Sequence, residues 1–185
     1  MALPVFTYHP NPVATGSIVQ SEKKCRCCNK SKGFIYAGPV YAEDELEEAI
    51  CPWCIADGSA ATKFDATFVD SSEIGDGEVT VSEEIEEQIA SRTPGFAGWQ
   101  GEHWLACCDD AAAFLGPAGR AELEAFGAPA IEALRAECGL SGAEWEEYFQ
   151  ALDRDNGPTA YLFKCLHCGG LLAYSDCQEY PSRNN

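Results

Sequence analysis

Three Cys-x-x-Cys pairs, Cys25–Cys28, Cys51–Cys54 and Cys165–Cys168, limit what this chain can fold into more than any other feature. Only 22 residues separate the first two pairs. A two-residue gap lets both sulfurs of a pair reach one ion at about 2.3 Å, and a second pair completes a tetrahedron. Four protein ligands make a closed structural zinc site with no position left for water. Cys27 abuts Cys28 and could replace it only with a tighter bite. The bases Lys23, Lys24, Arg26, Lys30 and Lys32 surround the first pair and would offset the charge of a zinc–tetrathiolate. Iron–sulfur sites more often use three clustered cysteines and one distant. Zinc is therefore the metal expected at Cys25, Cys28, Cys51 and Cys54.

The third pair needs partners. Cys107 and Cys108 are the nearest upstream cysteines. Successive strand side chains point to opposite faces, so adjacent cysteines seldom both ligate one ion. The ligand set of a second site stays open: Cys165 and Cys168 with Cys107 or Cys108, completed by His103, His167 or Cys177. An incomplete set would leave the open position of a catalytic zinc. The spacing predicts one zinc ion and permits a second.

With 46% hydrophobic residues in a chain of 185, the protein is globular, as one domain or two small lobes. No apolar run reaches the roughly 18 residues of a membrane span. The start, MALPVFTYHPNP, lacks the basic and apolar regions of a signal peptide, so the cytoplasm is the expected location. Thiols stay reduced there, and eleven cysteines then point to metal or redox chemistry before disulfides. The net charge of −18 disfavours a nucleic-acid partner and favours a basic protein.

The pattern along the chain predicts an α+β fold of small zinc-knuckle or zinc-ribbon-like lobes with short antiparallel strands and an acidic helical middle. An N-terminal lobe is expected over 1–65, an acidic connector over 66–98 and a C-terminal lobe over 99–185. Residues 5–9, VFTYH, read as an edge strand, Phe34–Tyr36 as a short strand and Glu43–Ile50 as helical turns. Thr80 and Glu83 make a capping box for a helix with Ile85 and Ile89 on its apolar face. Residues 103–107, HWLAC, read as a buried strand. Pro129 and Gly139 bracket one helix, and Ser141 with Glu144 opens another. Strands at Tyr161–Lys164 and Leu171–Tyr174 flank the third cysteine pair, as in half of a zinc ribbon. The four tryptophans are expected in the core.

Other chemistries have thinner support. Cys51-Pro52-Trp53-Cys54 invites a thioredoxin reading, but redox dithiols open a helix after a strand, and here a helical segment is expected before the motif. No Gly-x-Ser-x-Gly or His-Glu-x-x-His occurs, and Glu102-His103 has no nucleophile beside it.

Several strings together resemble the bacterial CbrC family, named for a colicin-tolerance phenotype. They are Tyr8-His9-Pro10-Asn11-Pro12, residues 33–42 (GFIYAGPVYA), residues 50–63 (ICPWCIADGSAATK), and Arg92-Thr93-Pro94-Gly95-Phe96. Trp104 with Cys108 and Asp109, and Cys165-Leu166-His167-Cys168-Gly169, complete the set. The resemblance covers nearly the whole chain and carries no catalytic residue over. It implies that Cys107 stands where a histidine often stands, as a metal ligand beside Cys108, Cys165 and Cys168. The reading that follows is a non-enzymatic, zinc-binding, acidic interaction protein linked to toxin tolerance. The alternatives are a metal enzyme with an open site at the C-terminal cysteines, or a cytoplasmic thiol redox protein.

Overall fold

The computed structural model describes residues 2–75, 81–99 and 101–176. They form a mixed α and β structure with small antiparallel sheets. β1 (Ile18–Gln20) pairs with β2 (Phe34–Tyr36), Ile18 opposite Tyr36. Three-residue strands are too short to stand alone, so the pair depends on what packs against it. The expected strand at residues 5–9 does not form. Phe6, Tyr8 and His9 are instead buried as separate anchors, and the Tyr8 carbonyl accepts one bond from the Phe114 N–H at 2.8 Å.

The helical turns expected over Glu43–Ile50 are also absent. Tertiary partners take up the backbone there: Arg26 N–H donates to the Ala49 carbonyl and Tyr36 N–H to the Ile50 carbonyl, each at 2.8 Å. Glu48 takes a left-handed φ of 47°, which interrupts a right-handed helix before its last turn. Two short helices follow, α1 (Pro52–Ala56) and α2 (Ser59–Phe64). Proline at the first position of α1 fits, because the N–H that it lacks would have had no helical partner.

α3 (Glu83–Arg92) is capped by the Ser82 hydroxyl, which accepts from Ile85 N–H at 3.3 Å. The expected cap, Thr80, lies outside the described residues. Ile89 is buried beneath the helix. The Arg-Thr-Pro-Gly-Phe segment then threads between the halves of the molecule. A Cβ on Gly95 would lie 2.1 Å from the Phe68 carbonyl oxygen, so only glycine fits there. Its N–H donates to the buried Tyr36 hydroxyl at 3.0 Å.

Of HWLAC, only Ala106–Cys107 is strand. This is β3, which pairs with β4 (Asp110–Ala111). Trp104 instead bonds through its backbone to Glu73 and Gly75. β5 (Ala113–Ala118), β6 (Ala160–Lys164) and β7 (Leu171–Ser175) form a three-stranded antiparallel sheet with β6 central. No strand was expected at β5, which contains Gly116 and Pro117, residues that strands disfavour. It is an edge strand, where a proline removes no ladder bond, and a bulge sits between Phe114 and Gly116. α4 (Arg120–Phe126), α5 (Ala128–Cys138) and α6 (Gly142–Ala151) follow, and α5 packs on β7. Gly139 closes α5 in the left-handed conformation, as expected. Ser141 caps α6 by position only, because its side chain makes no capping bond.

The core has three parts. One gathers Phe6, Ile18, Ile35, Leu46, Ile50 and Phe68 around Cys25, Cys51 and Cys54. The second is aromatic, with Phe96 stacked on Phe114 at 3.8 Å and Trp104 and Phe163 beside them. The third seats Leu123, Leu134 and Trp145 against β6 and β7. Trp104 and Trp145 are core residues, but Trp99 is 74% exposed, against expectation. Among the described residues, no helix is long and apolar enough to cross a membrane.

Candidate metal centres

The sulfurs of Cys25, Cys28, Cys51 and Cys54 all lie within 4.8 Å of one another. Cys28–Cys51 is 3.8 Å, Cys51–Cys54 3.6 Å and Cys25–Cys54 3.9 Å. Four sulfurs at about 2.3 Å from a zinc ion have tetrahedral edges of about 3.8 Å. The donor set therefore fits a tetrathiolate zinc ion. A disulfide would need about 2.05 Å.

Local structure produces this arrangement. Cys25 opens a tight turn in which Asn29 takes a left-handed conformation, φ 57°, and returns its N–H to the Cys25 carbonyl at 2.7 Å. Cys51 is the N-cap of α1, and its N–H donates to the Cys25 sulfur at 3.3 Å. The Cys51 thiol and the N–H groups of Cys28, Cys51 and Cys27 pull the Cys25 thiol down to about 4. The Cys51 thiol moves up in return, as donor to Cys25, and burial pushes Cys54 up to about 12. A metal would replace the protons that these thiols otherwise share. Cys27 turns away, with its sulfur 3.5 Å from the Ser59 hydroxyl. Two of the nearby bases face acids, Lys23 with Glu48 and Arg26 with Asp44, Arg26 also donating to the Glu45 carbonyl, and Lys32 lies over the Trp53 ring. Lys63 donates to the carbonyls of Arg26 and Cys27, each at 3.0 Å, and so fastens the first turn to α2.

Cys51-Pro52-Trp53-Cys54 opens a helix, contrary to the expectation that it follows one. The helix has five residues, and Cys51 is 1% exposed.

The second cluster comprises Cys107, Cys108, Cys165 and Cys168, again with all sulfurs within 4.8 Å. Cys107–Cys108 is 3.6 Å and Cys107–Cys168 is 3.9 Å. Both adjacent cysteines reach the cluster because Cys108 has left the strand. Cys108 and Asp109 form the two-residue turn between β3 and β4, with φ of 58° and 59°. Left-handed values at both centres mark the type I′ turn that suits a tight hairpin, and they swing the Cys108 side chain to the Cys107 side. The strand-alternation argument fails at this point. On the facing hairpin, Cys168 N–H donates to the Cys165 sulfur and Gly170 N–H to the Cys168 sulfur, each at 3.4 Å. The first of these bonds leads in drawing the Cys165 thiol down to about 6.

Neither histidine offered as a fourth ligand joins the cluster. His103 lies 3.5 Å from Glu73 and edge-on to Tyr174. His167 Nε2 is 2.8 Å from Asp110 Oδ2. Cys177 lies outside the described residues. The sequence reading missed Asp110, which links the two cysteine hairpins through His167 and accepts from the Tyr8 hydroxyl at 2.8 Å. Burial first, then this bond, pushes Tyr8 up to about 12. The Cys-Cys-Asp-Asp string held the signal, since paired aspartates favour a tight turn.

A profile of an uncharacterised protein family, UPF0167, matches residues 3–177. The chain belongs to the UPF0167 family. A UPF0167 protein of Mycobacterium bovis is 52% identical over 179 residues, 94% of this chain and 93% of that protein. One from Mycobacterium tuberculosis matches with the same values. One from Pseudomonas aeruginosa is 43% identical over 168 residues, 90% of this chain and 93% of its own. No solved structure matches. UPF0167 membership overturns the CbrC resemblance, and the colicin-tolerance implication falls with it.

Proposed function

We propose that the protein is a non-enzymatic, zinc-stabilised acidic protein that binds a basic protein partner. Its cysteine quartets hold two structural zinc ions, which staple two knuckle-bearing lobes, 1–65 and 99–185, on either side of the connector at 66–98. One observation carries this reading. Each quartet offers four thiolates close to the edge lengths of a zinc tetrahedron, so a bound ion has no vacancy for water or substrate. An open-site metal enzyme needs that vacancy.

Charge supports the partner class. Residues 66–185 hold 22 of the 30 acids and 6 of the 12 bases. Glu83, Glu84 and Glu87 are exposed on α3, and Glu144, Glu146 and Glu147 on α6. Such faces attract a cationic surface and repel phosphate backbones. A thiol redox reading has one observation in its favour, the position of Cys51 at the start of α1. Its burial within a four-sulfur cluster argues against it.

Purified protein should carry two zinc ions per chain and no visible absorption band. A charge-transfer band in the visible would overturn zinc in favour of iron. Proteins captured by the immobilised chain should be basic and should elute as salt rises. Capture indifferent to salt would remove the electrostatic basis of the partner.

A further inference from the structure

The C-terminal quartet differs from the N-terminal one in its access to reagents. We propose that Cys107 and Cys168 form a reversible oxidation site, at which a hydroperoxide joins two zinc-bound thiolates in a disulfide and releases the ion. The proposal rests on the reading of this quartet as a zinc centre.

Oxidation of a thiolate requires that the oxidant reach the sulfur. Cys168 and Cys108 are exposed and Cys107 is half-buried, on the facing tips of two hairpins. In the other quartet Cys25, Cys51 and Cys54 are 1%, 1% and 2% exposed and belong to the first core. Cys165 is buried and Cys28 is half-buried, so three of four cysteines are exposed or half-buried at the C-terminal centre against one of four at the N-terminal one.

The pairing follows from geometry. Cys107 and Cys168 sulfurs are 3.9 Å apart on separate hairpins, so a bond between them needs only a small approach of the two tips. Cys107 and Cys108 are nearer, at 3.6 Å, but a bond between neighbours closes a strained eight-membered ring.

The Cys168 thiolate attacks one peroxide oxygen. The O–O bond breaks, the sulfur becomes a sulfenic acid, and the departing oxygen takes a proton as water or alcohol. The Cys107 thiolate then attacks the sulfenyl sulfur. The S–S bond forms and hydroxide leaves, to be protonated to water. Two thiolates have lost two electrons, and the peroxide has gained them. The zinc ion keeps two of four ligands and dissociates. A dithiol reductant restores both thiolates by exchange.

The test uses the full zinc-loaded chain, with zinc counted before any oxidant is added. Hydrogen peroxide is then titrated in, with a metallochromic indicator following release and peptide mapping locating disulfides. One of two zinc ions should leave, with a Cys107–Cys168 disulfide and no oxidation of Cys25, Cys28, Cys51 or Cys54. Dithiothreitol with added zinc should restore the starting stoichiometry. Simultaneous loss of both ions, or a disulfide within the N-terminal quartet, would overturn the proposal. Two ions that peroxide does not release would sink it alone and leave the zinc reading intact. A starting protein without the second ion would defeat that reading, and this proposal with it.

Discussion

The two cysteine quartets share donor chemistry and spacing but differ in surroundings. Around the N-terminal four lie Ile18, Ile35, Ile50 and Ile55, all fully buried, so metal site and apolar core are one unit. The C-terminal four join two hairpin tips at the rim, and the aromatic core of Phe96, Trp104, Phe114 and Phe163 lies apart from the sulfurs. Donor type and geometry suit both quartets to the same ion. The surroundings would decide what loss of a bound ion does: at the first centre the core would go with it, and at the second only a junction between hairpins.

Removing a first-centre ligand should give the largest effect. Cys51→Ser should lose one zinc ion and the cooperative thermal transition, because a structural zinc contributes on the order of 10 kcal/mol, comparable with a whole domain's stability. Near-ultraviolet circular dichroism with metal analysis checks this. A folded, melting variant would erase the contrast between the centres. Retained folding with lost disulfide exchange would instead revive the redox reading.

Cys168→Ser should come next, with loss of the second zinc ion but retention of the near-ultraviolet spectrum and a cooperative melt. Global unfolding in this variant would show that the rim site is as central as the buried one.

A third effect belongs to the core between the centres. His9 is fully buried, with Nδ1 2.7 Å from the Pro94 carbonyl and Nε2 2.7 Å from the Thr15 hydroxyl. Burial lowers its pKa from 6.5 to about 4, and the Pro94 bond opposes this in part. The unfolded chain therefore binds the proton first as pH falls. The neutral ring's contribution is complete above pH 6.5 and is lost between there and about pH 4. It should be on the order of 3 kcal/mol. Denaturant melts across that window should show the fall, and His9→Gln should flatten it. An unchanged slope in the variant would assign the acid sensitivity to groups other than His9.

The smallest effect should come from Asp110→Ala. Loss of the His167 link, which joins the hairpins without bonding a cysteine of the quartet, should weaken zinc at the second centre by roughly 10-fold, the low end of the range for groups that bond a ligand directly. A chelator competition reads it, and the first centre should not respond.

How much of this was legible in the sequence depended on whether local signals decided the outcome. The first quartet could be read directly, because Cys-x-x-Cys turns are self-contained and two of them exhaust a tetrahedron. So could α5, set by Pro129 and Gly139, and the β6–β7 hairpin, set by two short apolar runs on either side of Gly169-Gly170. Spacing and strand alternation left the fourth member of the second quartet open, because it hangs on the left-handed turn at Cys108; the four cysteines named through the resemblance are the four that come together. Glu43–Ile50 misled for a related reason: a left-handed φ at Glu48 breaks the helical run, and Arg26 and Tyr36, distant in sequence, fix the backbone that follows. No strand was expected at β5, which contains Gly116-Pro117, and a proline's meaning in a strand depends on which edge faces solvent.

X-ray absorption at the zinc edge, on protein whose metal content has been measured, tests the closed-site reading most directly. Two zinc ions per chain, with four sulfur neighbours each at about 2.3 Å and no nitrogen or oxygen in the shell, are expected. One ion per chain, or an average shell with fewer than four sulfurs completed by oxygen or nitrogen, would contradict it.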